Sequence, residues 1–157
     1  MARPKVYITR RIAQEALDMI SEVAEIEIWS QELPPPYEVL LAKVRDIDGL
    51  LALLSDRIDA TLMEAAPRLK VISNLAVGYD NIDVPEATRR GIMVGNTPGV
   101  LTETTADLTF ALLMAAARRV VEADTFTRKG QWKTWGPMIM LGQDIHHATL
   151  GVLTLLT

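Results

Sequence analysis

The chain has 157 residues and a mass of 17.4 kDa, which at roughly 100–200 residues per domain is one domain, or one domain and a piece of another. Apolar residues make up 49% and charged residues 23%, a globular balance that excludes a disordered chain, and the absence of cysteine excludes disulfides, a thiolate nucleophile and Cys-ligated metal. The net charge of -4 excludes the basic footprint of a nucleic-acid binder, and the longest apolar run, Phe110–Ala117, is far short of the roughly 20 residues that span a membrane.

The opening MARPKVYITRR lacks the roughly 7–15-residue apolar core of a secretory signal. The expected setting is therefore the cytoplasm. A mean hydropathy of +0.16 suggests an interface that covers apolar surface.

Val6–Thr9 is a short β-rich run. Over Ile12–Glu22 and just beyond, Ile12, Ala16, Met19, Ile20 and Val23 recur at helical spacing and predict a helix. Ile26–Trp29 reads as a second strand, and Pro34–Pro36 as a stiff connection that cannot lie inside a sheet. Tyr37–Arg45 places Val39, Leu40 and Val44 on one helical face. Leu50–Leu54 has the composition of a strand buried on both faces. Asp59 is placed to cap a helix over Ala60–Ala66 that Pro67 ends. Val71–Ala76 is the fourth strand. Asp83, with Glu86 three residues on, has the pattern of a capping box for a helix to Arg90 closed by Gly91. Ile92–Val94 is the fifth strand. This alternation predicts an α/β fold with an open parallel sheet.

After Pro98-Gly99 the texture changes. Thr102 is placed to cap a long helix, Glu103 to about Arg119, whose apolar residues run almost all the way round and predict burial on several sides. An arm follows over Glu122–Ile145, carrying Trp132 and Trp135, and Leu150–Leu153 reads as a strand.

Val77-Gly78 lies at the carboxyl end of the fourth strand, where open α/β sheets bind ligands. Glycine there admits close backbone approach, and successive N–H groups can hold a small carboxylate; a plain strand-ending turn has the same residues. His146 and His147 are adjacent, so on a regular element they do not face one metal, and no metal site is expected. Asp56 follows the third strand as a receiver phosphoacceptor does, but Thr9-Arg10-Arg11 stands where a receiver needs its acidic pair.

Several stretches carry a family resemblance: LLSDRID (Leu53–Asp59), VGYDNID (Val77–Asp83), GIMVGNTPGVLTETTADLTFALLMAAARR (Gly91–Arg119), WKTWGP and LGQDIHHATLGV. Together they resemble the D-isomer-specific 2-hydroxyacid dehydrogenases, and most closely the glyoxylate/hydroxypyruvate reductase branch. The resemblance implies a flavodoxin-like substrate-binding domain over residues 1–99 with strand order 2-1-3-4-5. It further implies an inter-domain helix over 100–120, a dimerisation arm over 121–148 and the first strand of an NAD(P)-binding Rossmann domain over 149–157. It implies hydride transfer between NAD or NADP and a small 2-oxo acid. Val77 and Gly78 would take the substrate carboxylate, with Leu53, Leu54 and Ser55 lining the substrate side. Thr105 would face the cofactor, and Trp135 would reach a partner subunit. The partners implied are a small 2-oxo acid and a second copy in a homodimer or higher oligomer, domain-swapped forms included, with neither nucleic acid nor membrane.

The departure from that pattern is at the end. Thr154 and Leu156 stand where the family's Gly-rich phosphate turn has its first two glycines, and a β-carbon there obstructs the tight turn and the pyrophosphate. The family's catalytic Arg, Glu and His match no residue of this sequence. The expectation is the substrate-binding half of such an enzyme, inactive and without bound cofactor on its own. The alternative is a non-catalytic dimerising or interaction module.

Overall fold

A computed structural model describes residues 2–153 of the chain. It divides into two compact units, Met1–Val100 and Leu101–Thr157.

The first unit is a five-stranded parallel sheet in the order β2-β1-β3-β4-β5. The strands are β1 (Lys5–Ile8), β2 (Glu25–Ile28), β3 (Gly49–Ala52), β4 (Val71–Asn74) and β5 (Met93–Gly95). They are joined by α1 (Gln14–Val23), α2 (Tyr37–Lys43) with a 3-10 turn at Val44–Asp46, α3 (Ala60–Glu64) and α4 (Val84–Arg90). This is the flavodoxin-like order that the resemblance implies.

The direction of each crossover decides which sheet face its helix covers. From β1 the chain steps outward to β2, then returns and steps the other way through β3, β4 and β5. Right-handed crossovers therefore put α1 on one face and α2, α3 and α4 on the other. The packing agrees: Tyr7, Leu50 and Ile72 of the strands join Leu40, Val44, Leu62, Met63 and Ala87 in one buried core. On the opposite face Val6, Gly49, Val71 and Met93 stand in register on neighbouring strands. With Met19, Ile20 and Val23 of α1 they line a shallow groove of about 620 Å³. The helix expected from periodicity is present, but its apolar residues are only partly covered: Met19 and Val23 are 70% and 68% exposed, and Leu17 is the buried residue of that helix. A single helix on a broad sheet face leaves its outer apolar residues uncovered.

Two of the predicted helix starts are observed. The Asp59 carboxylate accepts from the Leu62 N–H at 3.0 Å, and Asp83 from the Glu86 N–H at 3.0 Å. The capping box is only half made. Glu86 turns to Arg89 and Arg90 instead of returning to Asp83, whose N–H donates to the Ile58 carbonyl at 2.9 Å. Two guanidiniums outcompete one backbone N–H for that carboxylate. Gly91 closes α4 at φ 71°, where a β-carbon is strained.

The second unit contains α5 (Thr102–Ala117) and α6 (Val120–Arg128). Thr102 is the first residue of α5 and not its cap; Leu101 precedes it without a side-chain bond. The expected burial of this helix is not observed: neither α5 nor α6 has a buried residue. The helix α6 begins just before the stretch read as an arm and runs into it. Leu150–Leu153 makes no strand pairing, since a strand needs a neighbour to complete its ladder. Thr154 and Leu156 lie outside the described residues. No helix among the described residues is long and apolar enough to cross a membrane.

Candidate functional site

The carboxyl ends of β3 and β4 lead into two loops, Leu53–Asp56 and Ala76–Gly78. The ladder runs a little past the strands: the Leu75 N–H donates to the Ala52 carbonyl and the Thr97 N–H to the Ala76 carbonyl, both at 2.8 Å.

The first loop is built around Asp56, 3% exposed. Its Oδ2 accepts from the Thr9 hydroxyl at 2.5 Å and from the Leu53 N–H at 2.8 Å. Arg10 lies beside it, with one guanidinium nitrogen 3.7 Å from Asp56 Oδ1 and 3.0 Å from the Ser55 hydroxyl, to which it donates. Ser55 accepts there, so its own proton is left for another partner. Asp56 is thus an anchor for the Leu53–Ser55 backbone and not a phosphoacceptor facing solvent.

The second loop is held by asparagines. Asn96 Nδ2 donates to the Val77 carbonyl at 2.7 Å, and Asn74 Nδ2 to the Gly78 carbonyl at 2.9 Å. Asn74, fully buried, also donates to Asn81 Oδ1 at 3.1 Å. Asn81 Nδ2 reaches the first loop, donating to the Leu53 carbonyl at 3.1 Å and the Asp56 carbonyl at 3.0 Å. Every carbonyl of Ala76–Gly78 is therefore occupied. Among the described residues, neither the Val77 N–H nor the Gly78 N–H donates a hydrogen bond.

The predicted substrate-side residues meet on this rim. A β-carbon built on Gly78 would lie 3.8 Å from Leu54 Cδ2 and 3.5 Å from Asp80 Oδ2. Leu54 and Val77 are 58% and 43% exposed, and Ser55 is exposed beside them. Those contacts at Gly78 are ordinary, and its φ is not positive. The fold itself therefore accepts alanine there; the missing side chain leaves room for a ligand. Next to the rim, a cavity of about 400 Å³ is lined by Asp56, Asp59, Asp80 and Asp83 against the single cation Arg57. That balance disfavours an anion inside this cavity. Of these carboxylates, Asp59 accepts at Oδ1 from the Tyr37 hydroxyl at 2.5 Å. Burial, and then this bond, push the Tyr37 phenol up to about 12. Burial opposes ionisation of Asp59, but Tyr37, the Leu62 N–H and Arg57 together hold its carboxyl below the ordinary value.

Within the second unit Thr105 borders a cavity of about 530 Å³ with Phe110, Leu113, Leu150 and Val152. Trp135 is 77% exposed, in the segment after α6. His146 and His147 stack edge to face at 5.2 Å. No group of three or more His, Cys, Asp or Glu is arranged for a metal among the described residues.

Residues 6–139 match the model of the D-isomer specific 2-hydroxyacid dehydrogenase catalytic domain. The chain belongs to this family. It is 57% identical over 151 residues to the glyoxylate reductase of Korarchaeum cryptofilum, covering 96% of this chain and 46% of that one. Among solved structures it resembles the TT0316 protein of Thermus thermophilus, with a TM-score of 0.84 and 47% identity over 90% of this chain and 45% of that one. It also resembles the NADPH-dependent glyoxylate/hydroxypyruvate reductase of Sinorhizobium meliloti in complex with NADP and malonate. There the TM-score is 0.67 and the identity 33%, over 83% of this chain and 40% of that one. The chain spans about half the length of the curated relatives it matches.

Sequence reasoning named Leu53, Leu54, Ser55, Val77 and Gly78 for this 2-hydroxyacid dehydrogenase chain but not the asparagines behind them. Their signal was in the sequence: Asn74 ends a strand, Asn81 lies three residues after Gly78, and Asn96 follows Gly95. Amide side chains beside glycine turns are where backbone carbonyls need donors.

Proposed function

We propose that this chain binds the carboxylate of a small 2-oxo acid on the backbone amides of Val77 and Gly78. It would form the substrate side of an NAD(P)-dependent 2-hydroxyacid dehydrogenase of the glyoxylate/hydroxypyruvate reductase type. The observation that carries the reading is the pair of N–H groups without acceptors, exposed on a loop whose carbonyls are all engaged. Such an amide pair is an anion seat that needs no charged side chain. Leu53 and Leu54 supply an apolar flank for the rest of a short acid, and the Ser55 proton left free by Arg10 supplies a donor. The malonate in the Sinorhizobium meliloti enzyme is likewise a small carboxylate.

Among the described residues the cavity at Thr105 is lined mostly by apolar side chains and by no cation, which suits a flat apolar ring. We therefore assign Thr105 to the nicotinamide end of NAD or NADP and derive no chemical step through the cofactor. The second unit's exposed apolar surface, Trp135 included, is proposed to be covered by a second copy of the chain in a homodimer. Light scattering at micromolar concentration should then give twice the 17.4 kDa mass; a monomer rejects the dimer. The acidic, cysteine-free composition suits a cytoplasmic setting.

Titration of the labelled chain with oxalate, glyoxylate and malonate tests the carboxylate seat. The Val77 and Gly78 amide resonances should move most, and Gly78→Ala should weaken binding several-fold without loss of fold. Equal binding by Gly78→Ala, or shifts elsewhere only, rejects the assignment.

A further inference from the structure

The trans peptide bond is planar, so a carbonyl and the N–H of the next residue point in opposite directions. Fixing one fixes the other. There are no cis bonds among the described residues. The Ala76 carbonyl is held by the Thr97 N–H at 2.8 Å, which turns the Val77 N–H away from the segment that follows β5. The Val77 carbonyl is held by Asn96 Nδ2 at 2.7 Å, from that same segment, so the Gly78 N–H also points away from it. Two consecutive carbonyls are thus drawn to one side, and two consecutive amides face the other. Successive peptides of an extended strand alternate instead. The parallel pair therefore depends on donors supplied by Asn96 and Thr97.

Two more amides complete the arrangement. Asn74 holds the next carbonyl, that of Gly78, at 2.9 Å. Asn74 and Asn81 pair through their side chains at 3.1 Å, and Asn81 holds the Leu53 and Asp56 carbonyls. One continuous set of bonds thus runs from the Gly78 turn to the loop carrying Leu54 and Ser55.

We propose that Asn96, Asn74 and Asn81 are positioning residues for the 2-oxo acid site. Asn96 aims the Gly78 N–H at the ligand carboxylate, and the Asn74–Asn81 pair sets the distance between that amide and the Leu53–Ser55 loop. None of the three touches the ligand. Asn96 is half-buried on a loop, so replacing it should cost the fold little. Its loss frees the Val77–Gly78 peptide to rotate and removes a donor aimed at an anion. The inference rests on the carboxylate reading for its ligand and on the peptide geometry for its mechanism.

The test uses the 157-residue chain and oxalate as the probe. Asn96→Asp keeps the shape but removes the donor and sets a carboxylate against the Val77 carbonyl. It should weaken oxalate binding about tenfold, the loss of one bond to a charged group, while the melting temperature stays within about 2 °C, the scale of a surface change. Asn81→Ala should weaken oxalate binding and also speed hydrogen exchange at the bonded Leu53 and Asp56 N–H groups of one loop and the Ile82 N–H after the other together. Asn81→Gln, which retains the amide, should recover part of both. If wild type binds oxalate and Asn96→Asp binds it within twofold, the positioning role is wrong. If wild type does not bind oxalate, the carboxylate reading falls, and the mechanism is judged on exchange alone. Faster exchange at the Thr97 N–H, bonded to the Ala76 carbonyl, in Asn96→Asp, and at the Leu53, Asp56 and Ile82 N–H groups in Asn81→Ala, supports it; unchanged exchange overturns it.

Discussion

In the first unit Leu40, Leu50, Leu62 and Ile72 are at most 1% exposed, whereas in the second Leu108, Phe110 and Leu112 stand 58–60% exposed. Both sets are large apolar side chains on regular elements. The sheet and helices α2–α4 bring theirs together from several segments, so each fills space that another leaves. The helix α5 spreads its own around the whole circumference, and no second layer within its unit covers them. Apolar composition alone therefore does not make a core: it also needs a facing layer. The same contrast exists inside the first unit, where α1 leaves the Val6–Met93 row open to the groove.

The sharpest way to break this comparison is to truncate one residue from each set. Ile72→Ala should cost about 2–5 kcal/mol, read from urea unfolding followed by exchange of the β3 amides. Leu112→Ala should change the same transition by less than about 0.5 kcal/mol. Similar losses would show that α5 contributes to the core after all.

A smaller effect tests the loops that position the site. Asp59→Ala removes the α3 cap and the acceptor of the Tyr37 hydroxyl, and should cost about 1–2 kcal/mol in thermal unfolding. The isosteric Asp59→Asn keeps an acceptor and should cost less. Equal losses would remove charge and capping as the reason for that residue.

Acid should act on the first unit through its paired carboxylates. Side-chain bonds from Arg89 and Arg90 hold Glu86 down at about 2, against an ordinary value of 4.5. The Lys5 N–H, then Lys70, hold Asp48 below its ordinary 3.8. A depressed carboxylate stabilises the fold fully above its unfolded value, and the contribution disappears as pH falls through the folded value. Stability of the first unit should therefore be flat above about pH 5 and fall toward about pH 2. Glu86→Gln should make that fall shallower; an unchanged slope would exclude Glu86 from it.

The smallest effect is at Tyr7, whose buried hydroxyl has no partner among the described residues. Tyr7→Phe removes an unpaired polar atom and should leave stability unchanged or raise it by up to about 1 kcal/mol. A clear loss would reveal a partner for that oxygen.

Much of the first unit was legible because its signals are local. Asp59 and Asp83 cap helices through bonds three residues away, Gly91 stops a helix by its own backbone angle, and short apolar runs between them can only be strands of a buried sheet. The turn at Val77-Gly78 and the loop at Leu53–Ser55 were legible as motifs. The exposed face of α1 was not, because periodicity shows that a helix has an apolar side and not whether a partner covers it. The half-made capping box was not either, since Arg89 and Arg90 compete for Glu86 only once the helix has formed. By itself, then, the sequence determined the alternation of elements, the parallel sheet and the two loops at its carboxyl end. Only the tertiary structure decided that Asn81 turns its amide onto the Leu53 carbonyl and Asn96 onto the Val77 carbonyl, 28 and 19 residues away along the chain. Such bonds join segments that are neighbours only because β3, β4 and β5 lie side by side in the sheet, and no local pattern encodes that adjacency.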